Sequence, residues 1–176
     1  IRTMAGNVDY TQGAMRNAVK KDFRDIYSSP MSQGTRCHQL ATYIVFDSPL
    51  VMLCDAPTAY RKEPECTRFI AGLPVVADET RILQGKMGEY IVTARRVGED
   101  WIVGGLTDWE ARTVDLDLSF LPEGMFRAEI FCDGINADKK GEDYRHEYRD
   151  VKREDRLKMQ LAPGGGFAIR LKKNHN

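Results

Sequence analysis

The spacing of apolar residues changes period near position 75. Before that point the densest apolar run is Thr35 to Pro57, TRCHQLATYIVFDSPLVMLCDAP. Leu40, Tyr43, Ile44 and Val45 fall at helical spacing, with Arg36 and Gln39 expected on the opposite, polar side. Ser48-Pro49 interrupts this helix, because proline has no N–H to donate and pushes its predecessor out of the helical region. Leu50, Val51, Met52 and Leu53 follow without a polar face, which predicts burial and a second half to a broken helix. Pro64 then opens a short helix, PECTRFIAGLP, with Phe69 and Ile70 expected to dock on the preceding one and Gly72 and Pro74 ending it.

Upstream, Ile1 to Gly13 is apolar at first and then polar, as for a brief strand running into a loop. Asp9 and Tyr10 stand where that strand would end. From these residues alone the favoured reading is a plain turn, with Asp9 capping the next segment through its side-chain oxygen. Ala14 to Gln33 is polar, is broken at Ser28-Ser29-Pro30, and predicts a long surface loop with a helical turn.

From Val75 the period is two. Glu79 to Leu83 and Glu89 to Val97 predict strands, the second with Tyr90, Val92 and Ala94 on one face, and residues 84–88 form the hairpin loop. Trp101 to Leu106 follows a tight turn. Arg112 to Phe120 alternates most cleanly, with Val114, Leu116, Leu118 and Phe120 inward and Asp115, Asp117 and Ser119 outward. Met125 to Asp133 places Phe126, Ala128, Ile130 and Cys132 on one side. Arg156 to Leu161 and Gly166 to Leu171 close the chain, with Ala162-Pro163-Gly164-Gly165-Gly166 expected to be a flexible turn into the final strand. No helix follows that glycine run, so it is not a phosphate-binding loop.

Charge changes the picture little. The 26 basic and 26 acidic residues cancel, which argues against nucleic acid or an anionic membrane as partner. No stretch approaches the ~20 apolar residues of a membrane helix. Cys37, Cys54, Cys66 and Cys132 show no zinc spacing and read as thiols rather than ligands. His146 lies among Asp143, Glu147 and Asp150, but no spacing demands a metal there, and a solvated loop or edge strand is the better reading. Trp101 reads as core. Trp109, in a turn between Asp108 and Glu110, reads as the more exposed of the two and as a candidate sugar-stacking platform. The chain opens Ile-Arg-Thr with neither initiator methionine nor signal peptide, so it is expected to be a piece of a longer protein.

Residue chemistry alone thus yields two parts, residues 1–74 and a β-sandwich over 75–176, with no carboxylate pair or activated nucleophile. Four segments carry a further signal. TMAGNVDYTQGAMRN (Thr3 to Asn17), RCHQLATYIVFDSPLVMLCDAPTAY (Arg36 to Tyr60), LPVVADETRILQGKMGEYIVTARR (Leu73 to Arg96) and LAPGGGFAIRL (Leu161 to Leu171) together resemble the C-terminal end of glycoside hydrolase family 97. That family groups α-glucosidases and α-galactosidases typical of gut Bacteroidetes.

The resemblance implies an α+β fragment: the last β/α unit of a (β/α)8 barrel, over 1–74, followed by an antiparallel all-β sandwich over 75–176. Asp9 and Tyr10 then become candidate substrate-binding residues at the barrel rim, because such barrels carry their chemistry at strand ends. The catalytic carboxylates and the glutamates that hold the family's calcium ion lie upstream of Ile1. This chain accordingly carries no catalytic residue and no metal ligand. The partners implied are an oligosaccharide, reached through the parent barrel, and the rest of the parent polypeptide. The implied location is the periplasm or cell surface. The piece would brace the barrel of an enzyme that cleaves terminal α-linked glucose or galactose, and would be inactive alone. A carbohydrate-binding module built around Trp109, or a purely structural interaction domain, are the competing readings.

Overall fold

The computed structural model describes residues 6–11 and 13–174. Its centre is a six-stranded antiparallel sheet whose strands lie side by side in the order Tyr144–Val151, Phe126–Asp133, Gly166–Lys173, Asp100–Thr107, Tyr90–Val97, Glu79–Lys86. In chain order these strands are β5 (Glu79–Lys86), β6 (Tyr90–Val97), β7 (Asp100–Thr107), β9 (Phe126–Asp133), β10 (Tyr144–Val151) and β12 (Gly166–Lys173). A two-stranded antiparallel sheet, β8 (Arg112–Asp117) with β11 (Arg156–Leu161), covers one face. β11 alternates strictly between exposed and buried, as a strand with one wet face should. Between the sheets Val92, Trp101, Val114, Leu116, Phe126, Ile130, Met159, Phe167 and Ile169 form one apolar core. Trp101 is a core residue, with Arg81 over its ring. The edge strand expected around His146 is β10.

The other face of the large sheet is covered as well. Helix α1 (Arg36–Val45) starts at Thr35, whose hydroxyl accepts from the His38 N–H at 3.0 Å, and gives way to extended backbone at Phe46. It lies across β7 and β12, where Leu40, Ile44 and Cys37 meet Ile102, Phe131 and Ala168. α2 (Pro57–Lys62) and α3 (Pro64–Ala71) both begin with proline in the first turn. α3 docks through Phe69, which packs on Phe131 at 4.9 Å, and Arg170 lies over the Phe69 ring. Apolar packing therefore crosses position 74.

Close approach of α1 to the sheet depends on Gly104 of β7. A Cβ there would stand 2.9 Å from Ile44 Cβ and 3.0 Å from the Ala41 carbonyl oxygen. Gly104→Ala is expected to lose about 1–3 kcal/mol, the usual cost of overpacking, because helix backbone must move to admit the methyl. A urea denaturation midpoint equal to that of the unchanged chain would refute this.

Several expectations need correction. Leu50 to Leu53 is not helix. Beyond the Pro49 break the chain forms β4 (Val51–Met52), which pairs in parallel with β1 (Tyr10–Thr11). Leu50, Met52 and Leu53 are not buried: they are 57%, 52% and 50% exposed. Arg36 and Gln39 are buried, since loop 13–18 packs on α1, with the Met15 carbonyl accepting from Arg36 and the Gly13 carbonyl from Gln39. Within Ala14 to Gln33 the chain makes a second short parallel pair, β2 (Asn17–Ala18) with β3 (Ser32–Gln33), and Ala14, Met15, Ala18 and Val19 are buried. Pro57–Lys62 is an unforeseen helix. The glycine run is not a flexible turn: Gly164, Gly165 and Gly166 are buried.

Candidate functional site

β1, α1 and β4 form a strand–helix–strand crossover between parallel neighbours, with Tyr10 opposite Val51 and Thr11 opposite Met52. Alternation along the strands sorts their side chains. Tyr10 and Val51 are half-buried, and the Tyr10 ring meets Phe46 edge-on at 4.8 Å, in the layer between ladder and helix. Thr11 and Met52 are exposed on the opposite face, and Asp9, two residues from Thr11, shares that face and is exposed. Asp9 precedes the two-residue strand and Tyr10 opens it. Burial raises the Tyr10 pKa, and the neighbouring Cys54 adds to the rise.

Asp55, which the sequence reading passed over, ties the two strand ends together. Its Oδ2 accepts from the Met15 N–H at 2.8 Å in the loop after β1, and its Oδ1 accepts from Ala56 N–H at 2.7 Å. Its own N–H donates to the Tyr60 hydroxyl at 3.2 Å.

Behind this loop lies a buried polar network. Arg36 Nε donates to Asn17 Oδ1, its Nη2 donates to the Met15 carbonyl, and its Nη1 pairs with Glu63 Oε2 at 3.0 Å. Asn17 Nδ2 donates to Gln39 Oε1 at 2.9 Å, and Gln39 Nε2 donates to the Gly13 carbonyl at 2.9 Å. α1 is thereby fixed to the loop after β1 by hydrogen bonds and to the sandwich by packing.

The N-terminus of α1 is held by the far end of the chain. The Thr35 N–H donates to the Gly164 carbonyl at 3.0 Å, and His38 Nδ1 lies 3.2 Å from the Gly165 carbonyl. Gly164 adopts φ +66°, which favours glycine, and a Cβ there would stand 2.3 Å from Trp109 Cζ3. Trp109 is half-buried against this loop, with Lys20 Nζ 5.5 Å from the ring centroid. It is a packed side chain rather than an open stacking platform. Beneath the loop Asp133 Oδ2 accepts from the Ala162 and Gly166 N–H groups at 2.8 and 3.0 Å. Burial pushes this carboxyl up to about 6 against those bonds.

His146 belongs to the seam between α3 and the sheet. It stacks on Phe131 at 4.0 Å, with Nε2 3.2 Å from Glu129 Oε1 and Nδ1 3.5 Å from Glu65 Oε2. Among the described residues no group of three or more His, Cys, Asp or Glu converges as a metal site. All four cysteines are thiols, three buried and Cys54 exposed. No described helix is long and apolar enough to cross a membrane.

Fold and site define a two-layer β-domain backed by helices and fused to a strand–helix–strand piece with one bare face. The family model described as "Glycosyl-hydrolase 97 C-terminal, oligomerisation" matches residues 76–172. The chain belongs to glycoside hydrolase family 97. It is 57% identical over 172 residues to the "Retaining alpha-galactosidase" of Bacteroides thetaiotaomicron, covering 98% of this chain and 26% of that protein. It is 27% identical over 167 residues to the "Probable retaining alpha-galactosidase" of Streptomyces bingchenggensis, covering 95% and 24%. The solved structure of a "Glycoside Hydrolase Family 97 enzyme in complex with Acarbose" from Pseudoalteromonas sp. strain K8 superposes with a TM-score of 0.78 at 38% identity, over 81% of this chain and 23% of that one. The chain thus spans about a quarter of the length of these relatives.

Proposed function

We propose that this chain is the C-terminal portion of an α-glycosidase acting on terminal α-galactosides, and that it braces the catalytic barrel without contributing catalytic groups. The observation that carries the reading is 57% identity, over nearly the whole chain, to a protein named a retaining α-galactosidase. The expected result is that the full-length parent releases galactose from an aryl α-galactoside, with the α-anomer appearing first by NMR. First appearance of the β-anomer, or release of glucose alone from the paired glucoside, would overturn it.

The bare ladder supports a barrel origin for residues up to 74. Parallel strands are found covered on both faces, whereas here one face meets α1 and the other presents Thr11 and Met52 to solvent. The crossover favours two successive barrel strands, Tyr10–Thr11 and Val51–Met52, over a single last one. In this reading Leu50, Met52 and Leu53 are covered by the remainder of the parent, as exposed apolar patches usually are. The catalytic carboxylates and the calcium ligands belong to that remainder, and the family's usual setting makes the periplasm or cell surface its place of work.

Asp9 and Tyr10 keep a role at the sugar pocket. Asp9 is on the bare face and supplies a carboxylate for sugar hydroxyls, while Tyr10, wedged on Phe46, fixes the backbone that carries it. Asp9→Asn in the full-length parent is expected to raise KM for the galactoside roughly tenfold, as loss of one charged hydrogen bond does. An unchanged KM would remove Asp9 from the pocket.

A further inference from the structure

The six-stranded sheet is covered unevenly. α1 and α3 shield its outer face over β9, β12 and β7, and α1 reaches Ile91 of β6, but β5 at the edge is left largely uncovered. There Ile82, 56% exposed, and Met87, 81% exposed, flank a groove of about 500 Å³ whose floor is Gly85, Ile91 and Leu106. Gly85 lies opposite Ile91 in the ladder, so the absence of a side chain at that position deepens the groove. We infer that this groove is the face through which two copies of the parent associate.

Three observations point to a second copy as the occupant. The groove falls wholly within residues 76–172, the span whose family description names oligomerisation, whereas Leu50, Met52 and Leu53 fall outside it. Its rim carries both signs of charge: Lys86 pairs with Glu89, and Arg112 pairs with Glu89 at 3.1 Å and with Asp108 at 3.4 Å. A two-fold interface sets one patch against itself, and a rim with balanced charges can meet its own image without like-charge contact. The register shift between Ile82 and Gln84 breaks the ladder in mid-strand, and Arg81 and Lys86 add charge along β5. Both features discourage strand-to-strand extension of the sheet, which leaves packing of face on face.

Family membership is the only earlier conclusion this inference uses, so a different substrate for the parent would leave it intact. The test is sedimentation of the full-length parent across a concentration series. Unchanged protein is expected to self-associate, and the Ile82→Glu, Met87→Glu double variant is expected to raise the dissociation constant at least about tenfold, as charges at the centre of an apolar contact do. Ile135→Glu, at a 94% exposed residue of the same domain outside the groove, is expected to leave association unchanged. Circular dichroism establishes that each variant is folded. Hydrogen exchange of the unchanged parent provides a readout without substitutions: amides of residues 82–91 should slow as concentration rises. A parent that is monomeric throughout, an association that survives the double variant, or protection of the hairpin independent of concentration would each overturn the inference.

Discussion

Arg36→Ala is expected to lose about 3–5 kcal/mol of unfolding free energy, the sum of two buried acceptors left without their donor and a half-buried ion pair lost. Arg36 is fully buried and joins three parts of the chain at once: Glu63 before α3, Asn17 in β2 and the Met15 carbonyl. Truncation leaves the Met15 oxygen and the Asn17 amide oxygen buried without that donor and removes the countercharge of Glu63. Arg36→Met fills the volume but leaves the same acceptors stranded, so it should recover only part of the loss. Glu63→Gln should cost far less, because Glu63 is 30% exposed and water can reach it. Urea denaturation of the three variants checks the order. Equal losses for Arg36→Ala and Glu63→Gln would mean that the ion pair, and not the whole network, is what stabilises the seam.

The second large effect depends on pH. Burial among the Ala162–Gly166 loop and the start of α1 raises the Asp133 carboxyl from 3.8 to about 6. A carboxyl whose folded pKa exceeds its unfolded one is protonated preferentially in the folded state. Its contribution is therefore neutral below pH 3.8, turns unfavourable as pH climbs from 3.8 to 6, and is fully unfavourable above 6. The two-unit displacement corresponds to about 3 kcal/mol. Asp133→Asn keeps an oxygen for the two backbone N–H groups and cannot ionise. The variant should match the unchanged chain in acid and exceed it by up to about 3 kcal/mol at neutral pH. Denaturation midpoints measured across this window would show the two curves converging as pH falls. Parallel curves would exclude Asp133 as the titrating group.

The strands beyond residue 75 were legible because most of them alternate cleanly. In Arg112–Asp117 the alternate residues meet water on one side and Leu116 and its neighbours on the other, and period two records that difference directly. What escaped was the second covering layer. The same alternation that places Cys132 inward places Asp133 on the other face of the sheet, and α1 lies there. Arg36 was assigned to a solvated face by its charge, although Arg36, Leu40 and Ile44 recur at four-residue steps and so lie on one line of the helix. That spacing was the available signal. β4 was missed because its partner, Tyr10–Thr11, stands far away in sequence, and a parallel pair leaves no local turn to announce it. The Ala162–Gly166 run looked flexible because composition records the missing side chains and not what packs into their place.

The grip of that run on α1 has a consequence for how the protein is made. His38 and Gly165 are 127 residues apart in the chain, yet their contact anchors the start of the helix. On the ribosome α1 emerges long before its clamp is synthesised, and it must wait unseated while the intervening residues are made. Loop closure over such a distance is slow, so the greasy helix stays in reach of chaperones and of neighbouring nascent chains for most of that interval.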